Sequence, residues 1–200
     1  MAFPKTLIAV FSLVTLAAVV GFTQTINFEA DNEPNDGNGV WESTTANQSR
    51  NWAFGGAQST QATIAPGTPG ITRSYAFPNA AATAGTYSSA FNTVQDSSFE
   101  LWIRPSAMTG QNVLFETGGN GNGAAIQLDG NVLTFVAQGG VSNRVITATQ
   151  LADMPTDVFT QVVGTLDFNG GGADLNLYVN GQFADSASSG AGFTNYAGGD

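Results

Sequence analysis

Residues 98–105 read Ser98-Phe99-Glu100-Leu101-Trp102-Ile103-Arg104-Pro105. Phe99, Leu101 and Ile103 alternate with Glu100, Trp102 and Arg104, a period of two that fits a β-strand with one apolar face, and Pro105 ends it because proline cannot donate to a ladder. Trp102 therefore stands on the face opposite the apolar residues. A second such stretch, Leu175-Asn176-Leu177-Tyr178-Val179-Asn180-Gly181, puts Leu175, Leu177 and Val179 on one side and Asn176 and Tyr178 on the other. Its Asn-Gly pair predicts a tight hairpin into 182–184, since both central residues of such a turn need positive φ.

Outward from these two stretches the same period continues. Residues 112–117 and 124–128 read as strands, the second meeting 131–137 across Asp129-Gly130, and 158–167 reads as a long strand. Residues 141–149 fit one more strand, and 151–157 a short helical turn or loop. No window after Asn27 keeps an apolar period of 3.6 residues, so the chain is expected to be all-β. Residues 29–39 and 58–70 are rich in turn-forming residues and read as surface loops. Gly118 to Gly123 lacks the lysine and hydroxyl residue of a phosphate loop and joins strand to strand; a wide rim turn is the simpler reading.

The first residues have a different character. A short basic start ending at Lys5 and an apolar run over 7–20 form the pattern of a secretory signal peptide, followed by small and polar residues, with cleavage expected near residue 25. A retained signal-anchor is the alternative, and either places the domain outside the cytoplasm, secreted or at the cell surface, with no membrane insertion of the mature domain. Removing 25 of 200 residues leaves 175, one domain by length.

Fifteen carboxylates face five cations, Lys5, Arg50, Arg73, Arg104 and Arg144, for a formal charge of −10, and the chain has neither cysteine nor histidine. Such a surface repels nucleic acid, and catalysis by thiolate or imidazole is excluded. Abundant Asp and Asn oxygens suit a hard cation such as calcium.

The two quoted stretches, with Val113-Leu114-Phe115-Glu116-Thr117-Gly118-Gly119 between them, resemble the laminin G-like, concanavalin A-like lectin/glucanase superfamily over about 97–184. The resemblance implies an antiparallel two-sheet β-sandwich, a concanavalin A-like jelly roll, over 26–200. It often carries a calcium on its rim and a ligand on its concave face or edge loops. Family members usually continue with a closing strand, which this chain is expected to lack because it stops at Gly198-Gly199-Asp200.

Glu29-Ala30-Asp31-Asn32-Glu33 matches the Glu-x-Asp-x-Glu pattern of laminarinase-type hydrolases on the same fold, where two glutamates serve as nucleophile and acid/base. In those enzymes the pattern lies mid-domain, whereas here it opens the mature chain and is followed by Pro34. An acidic surface loop is the first reading, and an irregular calcium site using Asp31 and Asp36 the second. Trp102 and Tyr178 are candidate platforms for a sugar ring, provided no neighbouring strand or loop covers them. Asn120 and Asn122 offer amides to hydroxyls or oxygens to calcium. The sequence thus points to a non-catalytic, secreted module that binds carbohydrate or an extracellular protein with calcium as a candidate cofactor. A secreted glycoside hydrolase and a structural module of a larger surface protein are the alternatives.

Overall fold

The computed structural model describes residues 40–41, 52–53, 60–62, 73–75, 96–105, 109–119, 122–139, 145–168, 172–190 and 193. The expected leader and the 29–39 segment lie outside them. Among the described residues no helix is long and apolar enough to cross a membrane.

Among the described residues, twelve strands follow one another: β1 (Val40–Trp41), β2 (Trp52–Ala53), β3 (Thr60–Ala62), β4 (Arg73–Tyr75), β5 (Ser97–Ile103), β6 (Gln111–Gly119), β7 (Asn122–Asp129), β8 (Val132–Gly139), β9 (Val145–Leu151), β10 (Thr160–Phe168), β11 (Ala173–Val179) and β12 (Gln182–Ser188). Two four-stranded sheets carry the architecture, one ordered β6-β7-β8-β9 and the other β12-β11-β10-β5. All pairings are antiparallel. This is the expected β-sandwich. Two short pairs, β1-β2 and β3-β4, accompany the sheets. β3 falls inside 58–70, which the sequence assigns to a loop; its three residues are too few for a period of two to show.

Alternation makes the core. On β7 and β8, Ala124 faces Ala137, Ile126 faces Phe135 and Leu128 faces Leu133, all buried on one side of the first sheet. The second sheet answers with Phe99, Val162, Leu166, Leu175 and Leu177, and Met154 and Phe193 join the same cluster. Phe193 lies against Phe168, ring centroids 5.5 Å apart.

One contact sets the separation of the sheets. Gly164 lies mid-strand on β10 between Phe99 of β5 and Leu177 of β11. A Cβ on it would stand 2.8–2.9 Å from the ring of Phe135, which comes from β8 of the opposite sheet. The ring thus fills the space that any other side chain at 164 would take, and it also lies 6.2 Å from the Phe99 ring. Glycine in a strand interior weakens the strand, and here the offset is the close approach of a large aromatic ring.

The hairpins fix which residues face out. Asn180 and Gly181 have φ of 50° and 73°, as a type I′ turn demands, and pair Val179 with Gln182 and Tyr178 with Phe183. The β7–β8 turn falls on Gly130-Asn131, one residue later than the sequence suggests, because Asp129 still pairs with Val132; only its first residue has positive φ.

After Phe183 the register of β12 shifts, so that Leu177 pairs with Asp185 and the acid turns to the inner side of this edge strand. There its carboxylate accepts the Gln150 N–H of β9 at 2.9 Å, joining the two sheets at one edge. That bond, first, holds Asp185 below the usual carboxylate range, and the nearby Thr149 hydroxyl and the Ser186 N–H add to it. The Thr149 hydroxyl is the buried side-chain oxygen left without a hydrogen bond among the described residues. An inward-pointing charge on an edge strand also discourages pairing with another chain.

Gly164→Ala is expected to destabilise the domain by about 1–3 kcal/mol through overpacking. In urea unfolding, Gly164→Ala combined with Phe135→Leu should recover part of that loss, whereas additive losses would show that the two positions do not touch.

Candidate functional site

The outer face of the second sheet carries the side chains that alternation excludes from the core. Glu100, Val163, Tyr178 and Phe183 stand in one row across β5, β10, β11 and β12. Trp102 and Gln161 form the next row towards the Asn180 turn, and Ser98, Thr165, Asn176 and Ser186 the row on the other side. Trp102 keeps 41% of its surface exposed and Phe183 keeps 59%. Tyr178 is half-buried, with its ring edge-on to Phe183 at a centroid distance of 5.8 Å.

Amides and hydroxyls surround these rings. The Gln161 Nε2 donates to the Glu100 Oε1 at 2.6 Å, and the Gln161 N–H donates to the Asn180 Oδ1 at 3.0 Å. The Asn176 Nδ2 donates to the Thr165 hydroxyl at 3.3 Å. Each of these groups keeps further donors or acceptors for a ligand. The sequence leaves Glu100 and Arg104 to find cross-strand partners. Glu100 finds Gln161 on the diagonal, whereas Arg104 turns to the loop before β10, its Nε donating to the Asp157 carbonyl at 3.1 Å.

Towards the far end of this face the charge is negative. Asp167 and Asp174 are cross-strand partners, and Asp96 accepts the Phe168 N–H at 2.8 Å close by. Partial burial, then the like charges of Asp96 and Asp174, push the Asp167 carboxyl above its ordinary range. The Ser188 hydroxyl donates to Asp174. Among the described residues, no three acidic side chains converge as a metal ion needs.

Trp102 and Tyr178, named from alternation alone, thus share one face, two strands apart, with Trp102 open to solvent. Asn122 begins β7 in the other sheet, opposite Gly119. Asn120, Asp31 and Asp36 lie outside the described residues, as do Glu29 and Glu33. Trp41 and Trp52 pair directly across β1 and β2. Phe183 is the residue that sequence reasoning missed. The signal was present, because a two-residue Asn180-Gly181 turn places Phe183 opposite Tyr178 by counting.

A family model described as the Concanavalin A-like lectin/glucanases superfamily, a laminin G model, matches residues 72–200, well over half of the chain. The match reaches beyond 97–184, where the quoted strands carry the resemblance. No curated protein matches the sequence closely enough to serve as a relative.

A carboxyl with a raised folded pKa holds its proton more tightly in the folded than in the unfolded state, so stability falls as pH rises through that window. The cost is full at neutrality. Asp167→Asn should therefore raise the melting temperature at pH 7 and leave it unchanged at about pH 2.5, below both pKa values. A lower melting temperature at pH 7 would show that the Asp167 charge is compensated.

Proposed function

The chain belongs to the Concanavalin A-like lectin/glucanases superfamily, and from that membership we propose an exported, non-catalytic module that binds carbohydrate on the outer face of the second sheet. The observation that carries the proposal is Trp102, 41% exposed beside Gln161, Glu100 and Asn180 and on the same face as Tyr178 and Phe183. An indole left open at such a position contributes nothing to the sandwich core. It offers a flat apolar surface to the C–H face of a sugar ring, while the neighbouring amides and carboxylate meet the hydroxyls. The fold alone does not give this function, since it hosts lectins and hydrolases alike.

The chain's charge supports a neutral ligand. A net charge of −10 opposes nucleic acid and anionic surfaces. Export rests on the leader pattern over 1–25. Calcium belongs to the proposal as a second ligand, held by Asp31 and Asp36, whose hard oxygens suit it; the sugar-facing residues of the second sheet act without it.

Binding of a neutral oligosaccharide should shift tryptophan fluorescence and raise the melting temperature through linkage. Trp102→Ala, at an exposed position, should keep the fold and lose both responses. Calcium with and without chelator separates a metal effect on stability from the sugar response. A sugar response that survives Trp102→Ala would move the site away from this face, and release of shorter sugars during the titration would replace a binding module with a hydrolase.

A further inference from the structure

The face has two aromatic platforms, and their separation determines what it can hold. Tyr178 is level with Glu100, two residues along β5 from Trp102 and two strands away. With strands about 4.8 Å apart and a rise of about 3.4 Å per residue, the Trp102 and Tyr178 backbones are about 12 Å apart. Phe183, one strand further, is about 16 Å from Trp102 by the same spacing. A single hexose is comparable in width to one aromatic ring and cannot rest on both platforms.

The ground between the platforms is polar and continuous. Gln161 and Glu100 are tied to each other, and Asn180 is tied to the Gln161 backbone, so the groups nearest the path of a bound chain are held in place before it arrives. Val163, level with Tyr178, adds a low apolar step. Among the described residues, the carboxylates of this face are Asp96, Glu100, Asp167 and Asp174, and the nearest cation, Arg104, is engaged by Asp157 through its Nε and at 4.0 Å through its guanidinium. The charge pattern therefore repels an anionic chain and tolerates a neutral one.

We propose that this face binds an extended, neutral oligosaccharide laid obliquely across the strands, with one sugar on Trp102 and a later one on the Tyr178–Phe183 pair. The inference rests on the carbohydrate reading above and specifies its ligand: an internal stretch of a neutral glycan, in preference to a terminal sugar. Phe183 becomes a specificity residue for chain length. Phe183 is exposed in an edge strand next to the half-buried Tyr178.

The test is calorimetric titration of the full chain with neutral gluco-, manno-, xylo- and N-acetylglucosaminyl oligosaccharides of one to six units, with oligogalacturonate as the anionic control. For the series that binds, affinity should rise about tenfold between the disaccharide and the longer members, the equivalent of one aromatic contact, and then level off. Phe183→Ala should remove that increment, whereas Trp102→Ala should weaken every length. Equal, Trp102-dependent affinity for disaccharide and hexasaccharide would overturn the extended ligand and leave the carbohydrate reading standing. Tighter binding of oligogalacturonate would overturn neutrality. No binding of any neutral series would overturn the carbohydrate reading, and this inference with it.

Discussion

The Phe135 ring resting on Gly164 is the contact on which the sandwich depends. Two twisted sheets can face each other at many offsets, and apolar burial alone does not choose among them, because it depends on area and not on direction. A ring that fits only where a strand lacks a Cβ does choose. It sets Ile126 and Phe135 of the first sheet opposite Phe99, Leu166 and Leu177 of the second, and so fixes which side of β5, β10 and β11 is inner. Truncating a core phenylalanine typically costs about 3–5 kcal/mol, a large share of the stability of a domain of this size.

The outer face follows from that choice by alternation. Once Phe99 and Leu101 turn inward, Glu100 and Trp102 must turn outward, and the registers with β10, β11 and β12 bring Gln161, Tyr178 and Phe183 alongside. The same logic places Asp167 beside Asp174, a repulsion that the fold tolerates. At the β12 edge the register shift turns one acid inward, where a backbone N–H from the other sheet meets it. The proposed binding face and the core therefore lie on opposite sides of the same strands, so the residues of that face can vary without repacking the core.

Much of this is legible in the sequence. Strand β5 and its outward Trp102 follow from a period of two; the β11–β12 hairpin follows from Asn180-Gly181, and the all-β class follows from the missing helical period. The sandwich expected from the family resemblance is the one observed. What stayed hidden depends on partners distant in sequence. Gly164 reads locally as a weak point in a strand, and only Phe135, on the other sheet, explains it. The Gly130-Asn131 turn differs by one residue from the expected Asp129-Gly130 because both dipeptides satisfy a tight turn and pairing decides between them. The inward turn of Asp185 arises from a register shift that no pattern of apolar residues announces.

Through-space proton contacts in solution test the central claim most directly. Nuclear Overhauser effects should connect the Phe135 ring protons to the Gly164 Hα atoms and to the Phe99 ring, while the Trp102 indole shows none to the methyl groups of Ile126, Leu133 or Leu177. A Trp102 indole in contact with those methyls, or a Gly164 Hα without a Phe135 partner, would contradict both the packing of the sheets and the open face derived from it.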